Sequence, residues 1–441
     1  MATTKLSRII GTPTSGTTFT ISAWVKGSVA EGRILTSIVP SVGNNTQTWV
    51  ELQNSGAFRI ANYVGSYNMQ LITTRLFRDP SAWYNFVIAF DTTQGTDTNR
   101  VKLYVNGVQE TSFSTTTYPS QNLVLKYGVS GQTFNVGAKD TDTYWNGLMS
   151  HVHFIDGTQY AASEFGETDS TTGEWKIKTS PSVTYGNNGF FILKDGNSVT
   201  DQSGNSNNFT VAGGTLTNTK DCPDNVFCTM NPLDNYYANS VFSNGNTTVV
   251  TNAGNYTYNT STIGINVGMK AYWEAKYNTT QSGNGNIGVI DTPSTSTSAG
   301  IYQATNGISV DDLGKIYKNN SDTGITLGTL STSDVICFAY DNVNGGLYVR
   351  KNGDAWINSG VPTSGASKTG IISPTTTGLT MFPAVGDASG SSAVGSSTNF
   401  GNGVFGTTAI ASAGTNASSN GVFEYDVPTG YTALSTKGLN L

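Results

Sequence analysis

The sequence predicts an all-β chain folded as two antiparallel β-sandwiches in tandem. Three observations carry this. Thr, Val, Tyr, Phe and Ile dominate the stretches between Gly- and Asn-rich breaks, and these residues suit a pleated, half-buried surface. Helix formers are scarce, and no long window repeats apolar residues at helical spacing. The 441 residues exceed what one ordinary core organises, and one short device, Leu-Tyr-Val followed by Asn-Gly, occurs once in each half.

The first sandwich is expected over residues 1–195. FTISAWVKGS alternates Phe19, Ile21, Ala23 and Val25 on one face. TWVELQ and AFRIANY form two further strands joined at Asn54-Ser55-Gly56, a tight-turn signal. AWYNFVIAFDTT is a near-continuous apolar run and reads as a central strand. RVKLYVNGVQETSF reads as a hairpin turning at Asn106-Gly107, because a type I′ turn needs positive φ at both positions. TFNVGAK, LMSHVHFID and a closing strand, NGFFILKD, complete this half.

Residues 196–233, rich in Gly, Asn, Asp and Thr, read as an edge strand plus the connection between domains. The second sandwich is expected over 234–441. AYWEAKYN alternates Tyr272, Glu274 and Lys276 against Trp273, Ala275 and Tyr277. NIGVID, GISVDD and KIYKNN follow, then a hairpin over DVICFAYDNVNGGLYVRKNG, with LTMFPAVGD and GVFEYDVP as late strands. Ser359 to Gly370 and Asp387 to Gly406 read as loops or weak edges. Each half thus has an apolar strand ending in aromatic-Asp, a turn, a second apolar strand and Asn-Gly. The flanks do not align, so these are two different sandwiches using one central hairpin, with its strands interior to a curved sheet.

Composition excludes several classes. Charged residues are only 12% of the chain, against roughly 25% in ordinary soluble domains, and Thr, Ser, Asn and Gly take their place. The net charge is −6 with no basic run, which argues against nucleic-acid binding. No apolar stretch reaches the roughly 18 residues of a membrane helix. The N-terminus, MATTKLSRII, carries no secretory pattern, so synthesis in a cytoplasm is expected. Three cysteines make no disulfide framework. Cys222 and Cys228 flank one turn, and both a pair and two free thiols are open readings; Cys337, in VICFAY, reads as a small core residue. The surface is neutral and hydroxyl-rich with few Lys or Arg, as in extracellular adhesins; release by cell lysis reconciles that surface with the missing secretory pattern.

The stretches FTISAWVKGS, WYNFVIAFDTT, RVKLYVNGVQ and WNGLMSHVHFIDG, in that order, resemble the laminin-G-like domains of the concanavalin A-like superfamily. AYWEAKYN, NIGVID, DVICFAYDNVNGGLYVRKNG and MFPAVGD resemble a SPRY domain. The joint, with FGETDSTTGEWKIK, YGNNGFF, DQSGNSNNFT and CPDNVFCTMNPL, is similar to a family of tailed-bacteriophage structural proteins, common among marine phages, that place a laminin-G-like domain before a SPRY domain. The resemblance implies two jelly-roll sandwiches and a virion surface role, with other capsid or tail proteins as partners, a homo-oligomeric state and host-surface glycan as a ligand. It implies no nucleic acid, no membrane insertion and no cofactor.

Several residues are candidates for sites. His151 and His153 fall at i and i+2 in a strand and share a face, where two imidazoles can hold a metal; no further ligand at suitable spacing completes the shell, so ordinary strand positions are the expectation. Asp140 and Asp142 offer calcium ligands on a loop, without a visible full set, and read as a solvated loop. Glu164, Glu167 and Asp169 cluster, but glycoside hydrolysis needs two carboxylates flanking the bond on a rigid strand; a short helical turn capped by a serine explains the cluster instead. No catalytic residue, metal ligand or cofactor site is therefore assigned. Trp145, Tyr63, Tyr67, Tyr302 and Trp356 lie beside Gly, Asn or Ser breaks and suit stacking on sugar rings, with core packing as the competing reading, and no binding set is singled out among them.

The expectation is a non-enzymatic phage surface protein, a head decoration or fibre component, that presents lectin-like modules. A host-glycan adhesin at the tail tip and a polysaccharide depolymerase are the alternatives. The chain shows no coiled coil or collagen-like run, which favours a compact decoration or one subunit of a composite fibre over a free-standing fibre.

Overall fold

The computed structural model describes residues 3–440 except 28–32, 40–45, 140–142, 195, 197, 235–239, 252–255, 281, 296–298 and 389–392. The chain is all-β, with antiparallel sheets and only short 3-10 turns among the described residues. It folds as two compact units, Met1–Thr217 and Asn218–Leu441.

In the first unit an eight-stranded sheet runs Phe113–Thr117, Tyr67–Leu76, Ala57–Val64, Thr46–Leu52, Arg33–Ile38, Thr133–Val136, Lys5–Ile9, Thr210–Gly213. A six-stranded sheet runs Phe190–Ile192, Gly147–Asp156, Thr18–Gly27, Tyr84–Asp91, Val101–Val105, Val108–Glu110. The inward residues of both sheets form one core, in which Phe19, Ile21, Ala23 and Val25 take the face their alternation assigns. The second unit pairs a seven-stranded with a six-stranded sheet around its own core. The seven-stranded sheet is built on Val241–Ser243, Thr248–Val250, Gly395–Asn399, Lys270–Tyr277, Ile336–Asp341 and Gly346–Lys351, with Thr432–Ala433 parallel beside Lys270–Tyr277. The six-stranded one runs Thr257–Thr260, Phe382–Asp387, Gly285–Ile290, Ile308–Asp311, Lys315–Lys318, Ser321–Thr326.

Within 196–233 the chain serves both units. Thr210–Gly213 pairs with Lys5–Ile9, and Phe209 packs into the first core. Cys228 and Met230 pack into the second.

The twice-written device has one physical job in both halves. Asn106 donates its N–H to the Asn85 carbonyl (2.9 Å) and accepts the Asn85 N–H on Oδ1 (2.8 Å). Asn352 repeats both bonds with Val335 (2.8 Å each). A side-chain amide thus closes the hairpin's open end where the backbone ladder stops. At the other end Asp91 and Asp341 accept backbone N–H groups two residues on, from Thr93 (3.1 Å) and Val343 (3.0 Å). The outcomes after Asn-Gly differ. Asn106 (φ 47°) and Gly107 (φ 82°) both take positive φ and lead into Val108–Glu110. After Asn352 no such strand follows. Gly346–Lys351 therefore ends the order of its sheet and is not interior; its far edge meets a single bridge, in which Leu347 and Ile372 exchange both backbone hydrogen bonds (2.9 Å each).

Two other expectations change. Gly395–Asn399, expected as loop or weak edge, lies between Thr248–Val250 and Lys270–Tyr277. Its hydroxyls replace apolar contacts: Ser397 Oγ lies 3.0 Å from Thr248 Oγ1. GVFEYDVP is not a strand; its backbone is bound instead by a buried side chain, Glu274.

None of the three cysteines is in a disulfide: Cys222 is half-buried, Cys228 and Cys337 are buried. In the folded chain a thiol reagent such as DTNB should label at most Cys222, and slowly, since burial raises its pKa. Three thiols should react in denaturant. Fast labelling of all three without denaturant would contradict this packing.

Candidate functional site

Which aromatic rings can meet a ligand depends on which sheet faces the chain covers with itself. In the first unit the outer face of the six-stranded sheet is blanketed. Val87, Tyr104 and Ile155 on the strands pack against Tyr160, Ala162, Phe165, Trp175, Val183 and Tyr185 from the segment that follows. Trp175 Nε1 donates to Asn85 Oδ1 at 3.1 Å and pins that cover down. In the second unit the outer face of the seven-stranded sheet is likewise covered, by Phe405, Phe423, Val427 and Tyr431 over Tyr272, Cys337 and Tyr348.

The outer face of the eight-stranded sheet is different. Its apolar cluster, Ile34, Trp49 and Ala61 with Tyr63 against them, consists of strand residues of that sheet; the first three are buried, and exposure begins at Tyr67. The chain reverses through Val64, Gly65 and Ser66, with Gly65 at φ 72°, and this sets Tyr63 directly opposite Tyr67. Their rings meet edge to face at 5.2 Å, and Tyr67 lies 6.1 Å from Trp49. Tyr67 is 42% exposed. The Arg59 guanidinium sits 5.3 Å from the Trp49 ring centre and forms an ion pair with Glu51; the Lys139 ammonium sits 4.5 Å from the same ring. Three buried polar atoms in this patch lack a hydrogen-bond partner among the described residues: Trp49 Nε1, Gln47 Oε1 and Arg59 Nε. Gln47 pairs in register with Tyr63, so an unused acceptor and two unused donors border the aromatic rings.

The second unit carries a smaller counterpart. Tyr302, in the turn Ile301–Gln303, lies 5.0 Å from Tyr317 beside the outer face of the six-stranded sheet.

The structure sorts the other candidates. Trp145 (6% exposed) is core, with Arg33 5.9 Å from its ring centre. Trp356 is half-buried in the cover of the seven-stranded sheet, with Arg350 4.7 Å from its ring centre. His151 and His153 do share a face, and both rings pack on Phe191, at 5.4 and 3.9 Å. A bulge between Ser150 and His153, with His151 at φ 50°, turns the strand there. His153 lies under the cover, stacked near Tyr185 with its Nδ1 3.0 Å from that hydroxyl. Burial first, then His151 and Lys194, hold its pKa well below the ordinary imidazole value, so it is neutral.

Glu164 belongs to a short turn, Ala162–Glu164, which begins at Ala161 without a side-chain cap; the expected serine lies inside the turn. Glu167 is exposed, and Asp169 binds Lys176 at 2.7 Å, which with the Thr171 and Thr172 N–H groups holds its carboxyl well below the usual range. Asp169 and Lys176 tie together the hairpin of Gly166–Thr168 with Trp175–Ile177, and Glu164 lies in the turn before it. Asp140 and Asp142 lie outside the described residues. Tyr63 and Tyr67 stand out in the sequence beside their Gly-Ser break; Trp49 does not, because strand alternation says only that it faces outward.

Residues 5–163 match the family model of the concanavalin A-like lectin/glucanases superfamily. No curated protein matches the chain. Among solved structures, the SPRY domain of human HERC1 is similar at 15% identity and a TM-score of 0.31, over 38% of this chain and 96% of that one. A heptameric SAP-like pentraxin from Limulus polyphemus is similar at 13% identity and 0.29, over 44% and 89%. Domains LG4-5 of the mouse laminin alpha1 chain are similar at 8% identity and 0.27, over 89% and 84%. At these identities and scores they are likenesses of fold and no more.

Proposed function

We propose that this chain, whose first unit carries a concanavalin A-like, laminin-G-like sandwich, is a non-enzymatic glycan-binding protein on the surface of a bacteriophage virion. The observation that carries the glycan reading is the exposed Tyr67 ring, set edge to face on Tyr63 and backed by the buried Trp49. A sugar presents an apolar ring face and a rim of hydroxyls. The exposed Tyr67 ring, with Tyr63 beside it, takes the first, and the two phenol hydroxyls take the second. The Tyr302–Tyr317 pair gives the second unit a place of the same kind, and two weak sites on one chain bind a repetitive surface by multivalency.

The virion part of the reading rests on the resemblance across both halves and on the hydroxyl-rich, charge-poor composition. In it the chain docks on other capsid or tail proteins as a homo-oligomer, reaches the outside by lysis and meets host glycan. Gold-labelled antibody on intact particles tests it. Label over the head makes the chain a decoration, label confined to the tail makes it a receptor-binding tip, and unlabelled particles remove the virion assignment.

The glycan part has its own test. Tyr67→Ala removes an exposed ring and should leave the melting temperature unchanged. It should cost about 1.4 kcal/mol of binding, roughly tenfold in affinity for host polysaccharide. Unchanged affinity would remove the patch from the site. Sustained release of reducing sugar from that polysaccharide would instead favour a depolymerase.

A further inference from the structure

The DQSGNSNN stretch, Asp201 to Asn208, is tied down by a network of side-chain hydrogen bonds. Asp201 accepts hydrogen bonds from the N–H groups of Phe191 (2.8 Å), Ser203 (2.9 Å) and Asn207 (2.9 Å), and from Ser203 Oγ (2.7 Å). Asn205 and Asn207 both donate to the Gly189 carbonyl, at 3.0 and 2.8 Å, and Asn208 accepts the Asp201 N–H at 2.8 Å. The loop is thereby fixed beside strand Lys5–Ile9. Between them lies an open cleft of about 380 Å³, lined by Arg8 and by Ser7, Thr133, Ser206, Asn208 and Thr210 among others.

Arg8 is the cation of this cleft. Nη1 donates to the Asn188 carbonyl at 3.0 Å and Nη2 to Asn207 Oδ1 at 2.5 Å. Both acceptors are neutral. The nearby Asp201 carboxylate is taken up by its own loop and makes no ion pair with Arg8 among the described residues. A guanidinium carries five N–H donors in a planar fork, so two bonds to neutral oxygens hold it in place and leave donors for a ligand. The rest of the wall is hydroxyl and amide, which suits a polyhydroxylated partner. No aromatic ring lines the cleft among the described residues, so it would not hold a neutral sugar by stacking.

We propose that this cleft binds a carboxylate-bearing sugar, a uronic or sialic acid unit of an acidic polysaccharide, with the Arg8 fork on the carboxylate and the Ser, Thr and Asn side chains on the ring hydroxyls. The inference rests on the reading of the chain as a glycan binder and adds the class of glycan. With a net charge of −6, the chain does not attract polyanions from a distance, so recognition depends on the short-range, bidentate match of guanidinium to carboxylate.

The test uses the full-length chain at physiological salt with immobilised polygalacturonate, alginate and polysialic acid, and with dextran as the neutral probe. Two variants separate the role from the fold. Arg8→Lys keeps the charge but loses the fork. Thr210→Trp fills the cleft from an exposed strand position and leaves both Arg8 hydrogen bonds in place. Retention on at least one acidic polymer is expected, displaced by its free acidic monomer and not by galactose. Each variant should weaken it roughly tenfold at unchanged melting temperature. If Arg8→Lys lowers the melting temperature, Thr210→Trp alone decides. Wild-type affinity in Thr210→Trp, or equal displacement by galactose, overturns the proposal. Dextran binding that depends on Tyr67, without retention on any acidic polymer, overturns this inference and leaves the glycan reading standing. No retention on any of the four polymers removes both.

Discussion

Glu274→Ala lowers the stability of the second unit by about 4 kcal/mol, the cost expected for breaking a buried charged network. Glu274 is fully buried in strand Lys270–Tyr277, and its carboxylate accepts four hydrogen bonds. They come from the Tyr425 N–H (2.8 Å), the Glu424 N–H (2.9 Å), Asn399 Nδ2 (3.1 Å) and the Tyr272 hydroxyl (3.1 Å). Two of these donors are backbone groups of the segment that covers the seven-stranded sheet. Alanine removes the acceptor of all four, and Asn399 Nδ2 keeps only the Val422 carbonyl (3.0 Å), so the cover should loosen first. Amide hydrogen exchange at Glu424 and Tyr425 should rise before that of the core strands. Unchanged exchange there, or a loss below about 1 kcal/mol, would show that the network is dispensable.

The same group gives the second unit a pH dependence. Burial pushes the Glu274 carboxyl up to about 7, against the pull of its four hydrogen bonds. A carboxyl whose folded pKa is raised binds a proton more tightly when folded. Its contribution is full below the unfolded value of about 4.3 and is lost as pH rises through about 7. That window is worth roughly 3–4 kcal/mol. Asp234 and Asp311, also raised by burial, act with the same sign. Urea unfolding at pH 5 and pH 8 should therefore show the wild-type chain losing stability with rising pH. Glu274→Gln should flatten that slope, since the amide does not titrate. An equal slope in both proteins would place the titration elsewhere.

Phe134→Ala should cost the first unit about 4 kcal/mol, within the range for a large buried aromatic. The Phe134 ring is fully buried and meets Tyr127 at 5.1 Å, Phe154 and Phe190 at 5.2 Å each, and Phe209 at 6.2 Å. It stands on the eight-stranded sheet, whereas Phe154 and Phe190 stand on the six-stranded one, so the cavity opens at the seam between the layers. Its neighbours are rings, which relax poorly into a void. Phe134→Leu, which keeps most of the volume, should cost well under half as much. Equal losses for both variants would mean that ring geometry, not volume, holds the seam. The readout is the urea midpoint of the first unit.

Much of this architecture was legible residue by residue. Alternation placed Trp273, Ala275 and Tyr277 on one face of their strand, and the structure puts all three in the core. Asn106-Gly107 announced its turn through the positive φ that both residues adopt. The same alternation put Glu274 on the opposite, outward face, where a carboxylate is ordinarily solvated. It is buried instead because residues 424–425 return across that face from 150 positions away. Arg8 carried no signal at all, since its partners Asn188 and Asn207 lie some 180 to 199 positions on. The Tyr63–Tyr67 pair could be read because its turn is local; Trp49 joined it only through register between neighbouring strands.

The sequence by itself determined the central strands of both halves, their inward faces, the closing asparagines of the two hairpins and the absence of long helices among the described residues. These depend on side-chain period and turn chemistry, which act over a few residues. Tertiary structure alone decided which outward faces stay open. Trp175 and its neighbours close one sheet of the first unit, and Phe423 and Tyr431 close one of the second, while Tyr67 and Arg8 remain within reach of a ligand. An outward side chain becomes solvent-facing or buried according to whether a distant segment pays the loop-closure entropy to cover it, and a period of two carries no record of that.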